Sequence, residues 1–277
     1  MYGNLLCRQP IHLSLFEDDR SLIKAIFFDI DGTLYSHQNH QIPKSTLNAL
    51  MQLRTQGILL FISTGRHMIM IEHLLGSQFP FDGYVSLTGQ ICLNREKEIF
   101  YKSPICREDT KKIIEFFNKK KVPLTLMEEN RRYINFDSSE AGNVLKTLSS
   151  FPPPVEAYHG GALYQVSGFL REEEAEELLS PLTSCKYTMW NDGAIDIIPA
   201  DGGKTTGIRR LLEYYHLTAD SIMSFGDGDN DADMLEFAQI GVAMGNASPK
   251  AKAAADYITT AIDDDGIANA LKHFHLL

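Results

Sequence analysis

Cysteine and tryptophan are scarce in this chain, positive charge is short, and long apolar runs are missing. The four cysteines among 277 residues, Cys7, Cys92, Cys106 and Cys185, form no C-x-x-C pair. That spacing argues against a disulfide framework or a zinc site and suits a reducing compartment, so a cytoplasmic protein is expected. No run approaches the ~20 apolar residues of a membrane span. The first residues lack a charged stretch followed by a long apolar core, so no signal peptide is expected, and residues 1–21 read as a loosely packed tail. Lysine plus arginine number 26 against 36 aspartates and glutamates, a net charge of −10. A chain this acidic is not expected to bind nucleic acid, which needs cations against phosphates. Small anionic ligands remain open, because a few local cations outweigh a distant net charge.

What is present is a series of short apolar runs: Ala25–Phe28, 58–62, 83–87, 221–225 and 240–244. Short continuous runs bounded by turn residues suit strands buried on both faces. Helical stretches separate them. One carries Leu47, Leu50, Met51 and Arg54, is ended by Gly57, and has Ser45 or Thr46 as its expected cap. Another covers 69–75, and a third runs from Lys204 to Tyr215. Alternating strands and helices predict an α/β core, a Rossmann-like doubly wound parallel sheet. Between Ser103 and Asn191 the character changes. Helical stretches (108–120 and 172–179) alternate with short strands (122–127 and 163–166), and Pro152-Pro153-Pro154 marks a stiff connector. Residues 103–192 therefore read as an inserted α+β domain, with 22–102 and 193–277 forming the core. Ala194–Ile198 is expected to return the chain to the core sheet.

Several of these runs end in polar clusters. After Phe28 come Asp29 and Asp31, two places apart and so leaning to one side, with Gly32 allowing a sharp turn. Two carboxylates this close repel, and one keeps its proton unless a cation lies between them. After Ile62 come Ser63-Thr64-Gly65-Arg66: a hydroxyl that could donate to a phosphate oxygen or cap a helix, and a glycine that permits close approach. Arg66 could grip substrate or pair on the surface, the surface pair being the expectation, and His37 and His40 are expected in a solvated loop. Lys204 opens a helix, where the dipole favours anions, and this mismatch suggests that it faces a negative group. Gly202-Gly203-Lys204-Thr205 lacks the first half of a P-loop. After Phe225 stands Gly226-Asp227-Gly228-Asp229-Asn230-Asp231-Ala232-Asp233. The alternation suggests an EF-hand, but Ala232 and Ala238 stand where its glycine and glutamate belong. In parallel α/β sheets ligands bind beyond the carboxyl ends of the strands, so these clusters should converge on one edge.

Phe-Phe-Asp-Ile-Asp-Gly-Thr-Leu at 27–34, Thr64-Gly65, Lys204 and Gly-Asp-x-x-Asn-Asp at 226–231 together resemble the four motifs of the haloacid dehalogenase-like hydrolases, and in particular their Cof-type phosphatases. Specific motifs carry the likeness over 24–91 and 194–271; the middle block matches in position and size. The resemblance implies a phosphatase of small phosphorylated metabolites that works through an aspartyl phosphate. It implies Asp29 as nucleophile, Asp31 as general acid and base, and Thr64, Gly65, Lys204 and Asn230 as phosphate contacts. It implies Mg²⁺ held by Asp29, the main-chain carbonyl of Asp31 and Asp227, with Asp231 supporting its water shell. Asp229 and Asp233 are expected to face solvent or cap. The middle block would be a cap that closes on the site, with 131–133 and 159–161 the stretches expected near substrate. Thr88-Gly89-Gln90 departs from the family's usual Asn-Gly-Ala. A phosphosugar mutase, or a phosphometabolite sensor without catalysis, are the alternatives on the same core; a sensor would need neither Asp29 nor Asp31.

Overall fold

The computed structural model describes residues 23–76, 78–147, 149–170, 172–191 and 193–277. The expected tail, 1–21, lies outside the described residues. The first stretch forms β1 (Ala25–Phe28), α1 (Lys44–Thr55), β2 (Leu59–Ser63), α2 (Met68–Leu75), β3 (Gly83–Ser86), β4 (Ile91–Asn94) and β5 (Ile99–Lys102). The middle forms α3 (Arg107–Lys119), β6 (Leu124–Met127), β7 (Arg132–Ile134), α4 (Ser139–Thr147), β8 (Gln165–Gly168), α5 (Glu172–Leu179), β9 (Cys185–Asn191) and β10 (Ala194–Pro199). The last stretch forms α6 (Lys204–Tyr215), β11 (Ile222–Gly226), α7 (Ala232–Phe237), β12 (Ile240–Ala243), α8 (Pro249–Ala254), β13 (Tyr257–Ile258) and α9 (Gly266–His273). Among the described residues no helix is long and apolar enough to cross a membrane.

An eight-stranded sheet runs in the order β13-β12-β11-β1-β2-β3-β4-β5. It is parallel from β13 to β3, and β4 and β5 add an antiparallel edge. Side chains alternate between its faces as a strand requires. Ile26 and Phe28 of β1 join Leu50, Leu53 and Leu271 on one face, while Ala25 and Phe27 join Phe61, Ile208 and Leu211 on the other. This two-sided burial is why the central strands read as unbroken apolar runs.

The second sheet is antiparallel, in the order β7-β6-β8-β10-β9. Ile113, Phe116 and Phe117 of α3 and Leu178 of α5 cover one face through Leu124, Leu126, Val166, Ile195 and Ile197. The other face carries Thr125, Met127, Gln165, Ser167 and Asp196 and lines a cavity shared with the large sheet. Two connections, 103–106 and 200–203, join the sheets.

Two expectations are corrected. Ala194–Pro199 belongs to the second sheet, so the chain returns to the core at α6 and not at residue 193. Asp196 between Ile195 and Ile197 was the available signal, because this alternation marks a strand with one polar face. Neither Ser45 nor Thr46 caps α1; Pro43 holds the cap position and Thr46 is buried inside the helix.

Phe61 is fully buried, with the rings of Phe27 and Tyr215 at 4.9 and 5.0 Å. Phe61→Ala should cost about 3–5 kcal/mol through lost contact and the remaining cavity, read as a lower urea midpoint at unchanged slope.

Candidate active site

The end of β1 meets the end of β11. The Asp29 amide donates to the Phe225 carbonyl at 3.0 Å. Gly32 then turns the chain with φ of 75°, and a Cβ there would lie 2.2 Å from Asp227 Oδ2. Glycine thus serves two needs at once, the left-handed backbone and the close approach of the Asp227 carboxylate. Thr33 Oγ1 donates to Asp227 Oδ1 at 2.9 Å, and Asn246 Nδ2 donates to the Gly32 carbonyl at 2.9 Å. Thr33 stands within the 27–34 motif and Asn246 in the turn expected beside the site, yet the sequence carries no signal for their bonds to Asp227 and Gly32.

Lys204, at the start of α6, is fully buried. Its ammonium donates to Asp29 Oδ1 at 2.6 Å and to Asp231 Oδ1 at 2.5 Å. Asp231 Oδ2 accepts from the amides of Asp227 and Gly228 at 3.0 and 2.8 Å. Asp231 therefore holds Lys204 with one oxygen and shapes the Asp227 loop with the other.

Burial pushes the Asp29 carboxyl up to about 7; Lys204 opposes the rise, and Asp231 and Asp31 add to it. Asp227 is driven well above the ordinary carboxylate range, by burial first and then by Asp29 and Asp231. Burial works against the charge on Lys204, but Asp231 and Asp29 outweigh it and raise the lysine. One oxygen each of Asp29, Asp227 and Asp231 lies within 4.8 Å of the others. Lys204 contacts Asp29 and Asp231, whereas Asp227 receives only neutral side-chain donors among the described residues. An all-oxygen donor set with one uncompensated carboxylate fits a hard divalent cation.

Asp31 has other partners. Arg66 donates to it from Nε at 2.8 Å and from Nη2 at 2.6 Å, and His37 Nε2 lies 2.7 Å from its Oδ1. Burial alone would raise Asp31, but Arg66 and then His37 hold it well below the usual range. The expected surface position of Arg66 is corrected: it is 5% exposed and lines the cavity. The solvated-loop expectation for His37 is corrected as well, because the turn after Gly32 brings it to Asp31. Arg66 had a local signal in its place directly after Thr64-Gly65; His37 had none.

Thr64 is buried, and its hydroxyl accepts from the Arg66 amide at 3.2 Å. Neither Ser63 nor Thr64 caps α2; His67 does, through Nδ1 and the Ile69 amide. The Gly65 carbonyl accepts from Gln165 Nε2 at 3.1 Å, and Thr88 Oγ1 donates to Gln165 Oε1 at 3.0 Å. Asp29, Asp31, Thr64, Gly65, Asp227 and Asn230 all line one cavity of about 140 Å³, whose opposite wall is the polar face of the second sheet. Asp229 and Asp233 are exposed, and Asp229 accepts from Ser248 Oγ. Of the stretches expected near substrate, Arg132 lines the cavity, whereas Tyr133 bonds Glu128 and His159 faces Glu156.

Comparison with known proteins points the same way. The sequence model of the haloacid dehalogenase-like hydrolase family matches residues 26–271. The Bacillus subtilis protein YkrA is 32% identical over 259 residues, 92% of this chain and 98% of that protein. The 5-amino-6-(5-phospho-D-ribitylamino)uracil phosphatase YitU of the same organism is 24% identical over 277 residues, 91% of this chain and 97% of its own length. The solved structure of the sugar phosphatase BT4131 superposes with a TM-score of 0.85 at 36% identity, covering 92% of this chain and 100% of that one.

Because Asp227 keeps its proton more tightly in the fold, it favours folding at acid pH. That favour is lost, and becomes a cost, as pH rises through its folded value. Asp227→Asn should therefore raise the melting temperature of metal-free protein at neutral and alkaline pH. Added Mg²⁺ should stabilise the unchanged protein and leave the variant unmoved. Scanning calorimetry across pH, with and without Mg²⁺, checks both.

Proposed function

The chain belongs to the haloacid dehalogenase-like hydrolases, in their Cof-type branch, and from that premise we propose a Mg²⁺-dependent cytoplasmic phosphatase of small phosphorylated metabolites, sugar phosphates among them. Its class is phosphoric monoester hydrolase. The carrying observation is the buried Lys204 ammonium shared by Asp29 and Asp231, with Asp29 and the neighbouring Asp227 lining a cavity walled on the far side by polar side chains.

In this reading Asp29 is the nucleophile. Lys204 occupies one of its oxygens, and the other attacks phosphorus as the ester P–O bond breaks, leaving an aspartyl phosphate. Lys204 favours the ionised carboxylate that attack requires, against burial and the neighbouring Asp231 and Asp31. Thr64, the Gly65 backbone, Lys204 and Asn230 hold the phosphoryl oxygens where charge gathers. Asp29, the Asp31 main-chain carbonyl and Asp227 would hold Mg²⁺, which when bound screens the repulsion between carboxylate and phosphate. Asp231 acts by positioning: its lone pairs are engaged by Lys204 and two amides, so it supports the ion from behind.

Asp31 hands a proton to the departing alkoxide and later takes one from the water that cleaves the aspartyl phosphate. Bound to Arg66 it is an anion, ready as a base; to serve as an acid it must leave the guanidinium and take up a proton. The second sheet, acting as a cap, keeps bulk water from the site and meets the leaving group.

Asp29→Asn should lower metal-dependent phosphate release from an aryl phosphate by roughly 10³-fold or more. A retained rate rejects the nucleophile. An aryl oxide leaves without protonation, whereas an alkoxide does not. In single-turnover release of the leaving group, which precedes the step where Asp31 acts as base, Asp31→Asn should therefore slow an alkyl phosphate by about 10²–10⁴-fold and an aryl phosphate far less. Equal losses on both esters would remove Asp31 from the acid role.

A further inference from the structure

Among the described residues two guanidinium groups line the cavity and the buried Lys204 ammonium adjoins it through Asp29; two of these three cations are neutralised. Lys204 is held by Asp29 and Asp231, and Arg66 by Asp31. The third is Arg132. It lies on β7 opposite Met127 of β6, in the row that continues to Gln165 of β8. It is 5% exposed, and it lines the cavity. Among the described residues no carboxylate lies within ion-pair distance of it. One nitrogen donates to the Phe151 carbonyl, the plane stacks over the Phe151 ring with its carbon 4.3 Å from the centroid, and Nε has no partner.

A buried cation without a counter-charge is costly, and such groups are normally paired. Burial and then the nearby Arg66 lower Arg132 to about 10, so it remains charged at neutral pH. The Phe151 carbonyl and ring hold the guanidinium in place without cancelling its charge. Unfilled donor capacity in a planar fork suits a carboxylate or phosphate. The scissile phosphate has its own place among Thr64, Lys204 and Asn230, which leaves Arg132 for a different group.

We propose that Arg132 is a specificity residue that receives a second anionic group, a carboxylate or a second phosphate, on the leaving-group side of the substrate. The assignment rests on the phosphatase reading for the position of the scissile phosphate. It deepens that reading by narrowing the substrates to phosphate esters whose leaving group itself carries negative charge. Neutral sugars would fill the same space while leaving the guanidinium unmatched. Ser167 and Asp196, bonded to each other at 2.6 Å on the same wall, remain able to meet hydroxyls alongside that anion.

The test uses phosphonates, which carry no ester bond to hydrolyse, bound to the full chain with Mg²⁺ and followed by calorimetry. ω-Carboxyalkyl phosphonates and alkylene bisphosphonates of increasing length are compared with alkyl phosphonates of the same length. At the fitting length the anionic tail should bind roughly tenfold tighter or more, as expected for a charge-assisted pair. Arg132→Gln should bring that ratio near unity, and Arg132→Lys should keep part of it. Whether the carboxylate or the bisphosphonate series carries the preference identifies the second anion. Equal affinities at every length in the unchanged protein would overturn the assignment. So would a preference that survives Arg132→Gln in a protein melting as cooperatively as the parent. Should Arg132→Gln fail to fold, an undiminished ratio in Arg132→Lys does the same, because a point charge cannot replace the fork. Phosphate release from alkyl and aryl esters is measured separately. Its absence would sink the phosphatase reading while the calorimetric ratio still decides the role of Arg132.

Discussion

The buried ammonium of Lys204 is the interaction on which the site depends. It joins the first turn of α6 to the end of β1 through Asp29 and to the loop after β11 through Asp231. Three segments far apart in sequence are thereby held at one point. Charges buried this deeply are costly unless paired, and removing one partner typically costs about 3–5 kcal/mol because the other is stranded. Among the described residues the same pairing leaves the nearby Asp227 without a cation, so the arrangement that steadies the loops also leaves a place that suits a divalent metal. Structure and chemistry here draw on one set of charges.

The large sheet brings this about through direction alone. Its parallel strands deliver Asp29, Thr64 and Asp227 to the same edge, and the antiparallel second sheet meets that edge with a polar face. Alternation along β6, β8 and β10 puts leucine, valine and isoleucine under α3 and α5, and threonine, glutamine, serine and aspartate over the site. A slip of one residue in any of these strands would exchange the two sets.

Much of the core was legible because buried parallel strands leave a plain mark, an apolar run ending in a polar turn. The strand at 25–28, the motif that follows it and the acidic loop after β11 all carried such marks. β10 was misplaced because its isoleucines resemble a core strand until the intervening Asp196 is given weight. Arg66 and His37 were read as surface groups because burial of a charged side chain depends on a partner brought by tertiary folding, here Asp31. The roles of Thr33 and Asn246 were not legible for the same reason: their value lies in an approach to Asp227 that only the Gly32 turn creates.

The second sheet is joined to the large one by two short runs, 103–106 and 200–203, four residues each, and the latter ends at Lys204. Four extended residues reach at most about 14 Å. The wall above the cavity is therefore tethered twice, and its freedom is confined to a swing about those tethers. The second of those tethers ends at the residue whose ammonium binds the loops beneath. A swing that admitted a ligand would thus pivot next to the group that aligns Asp29 and Asp231.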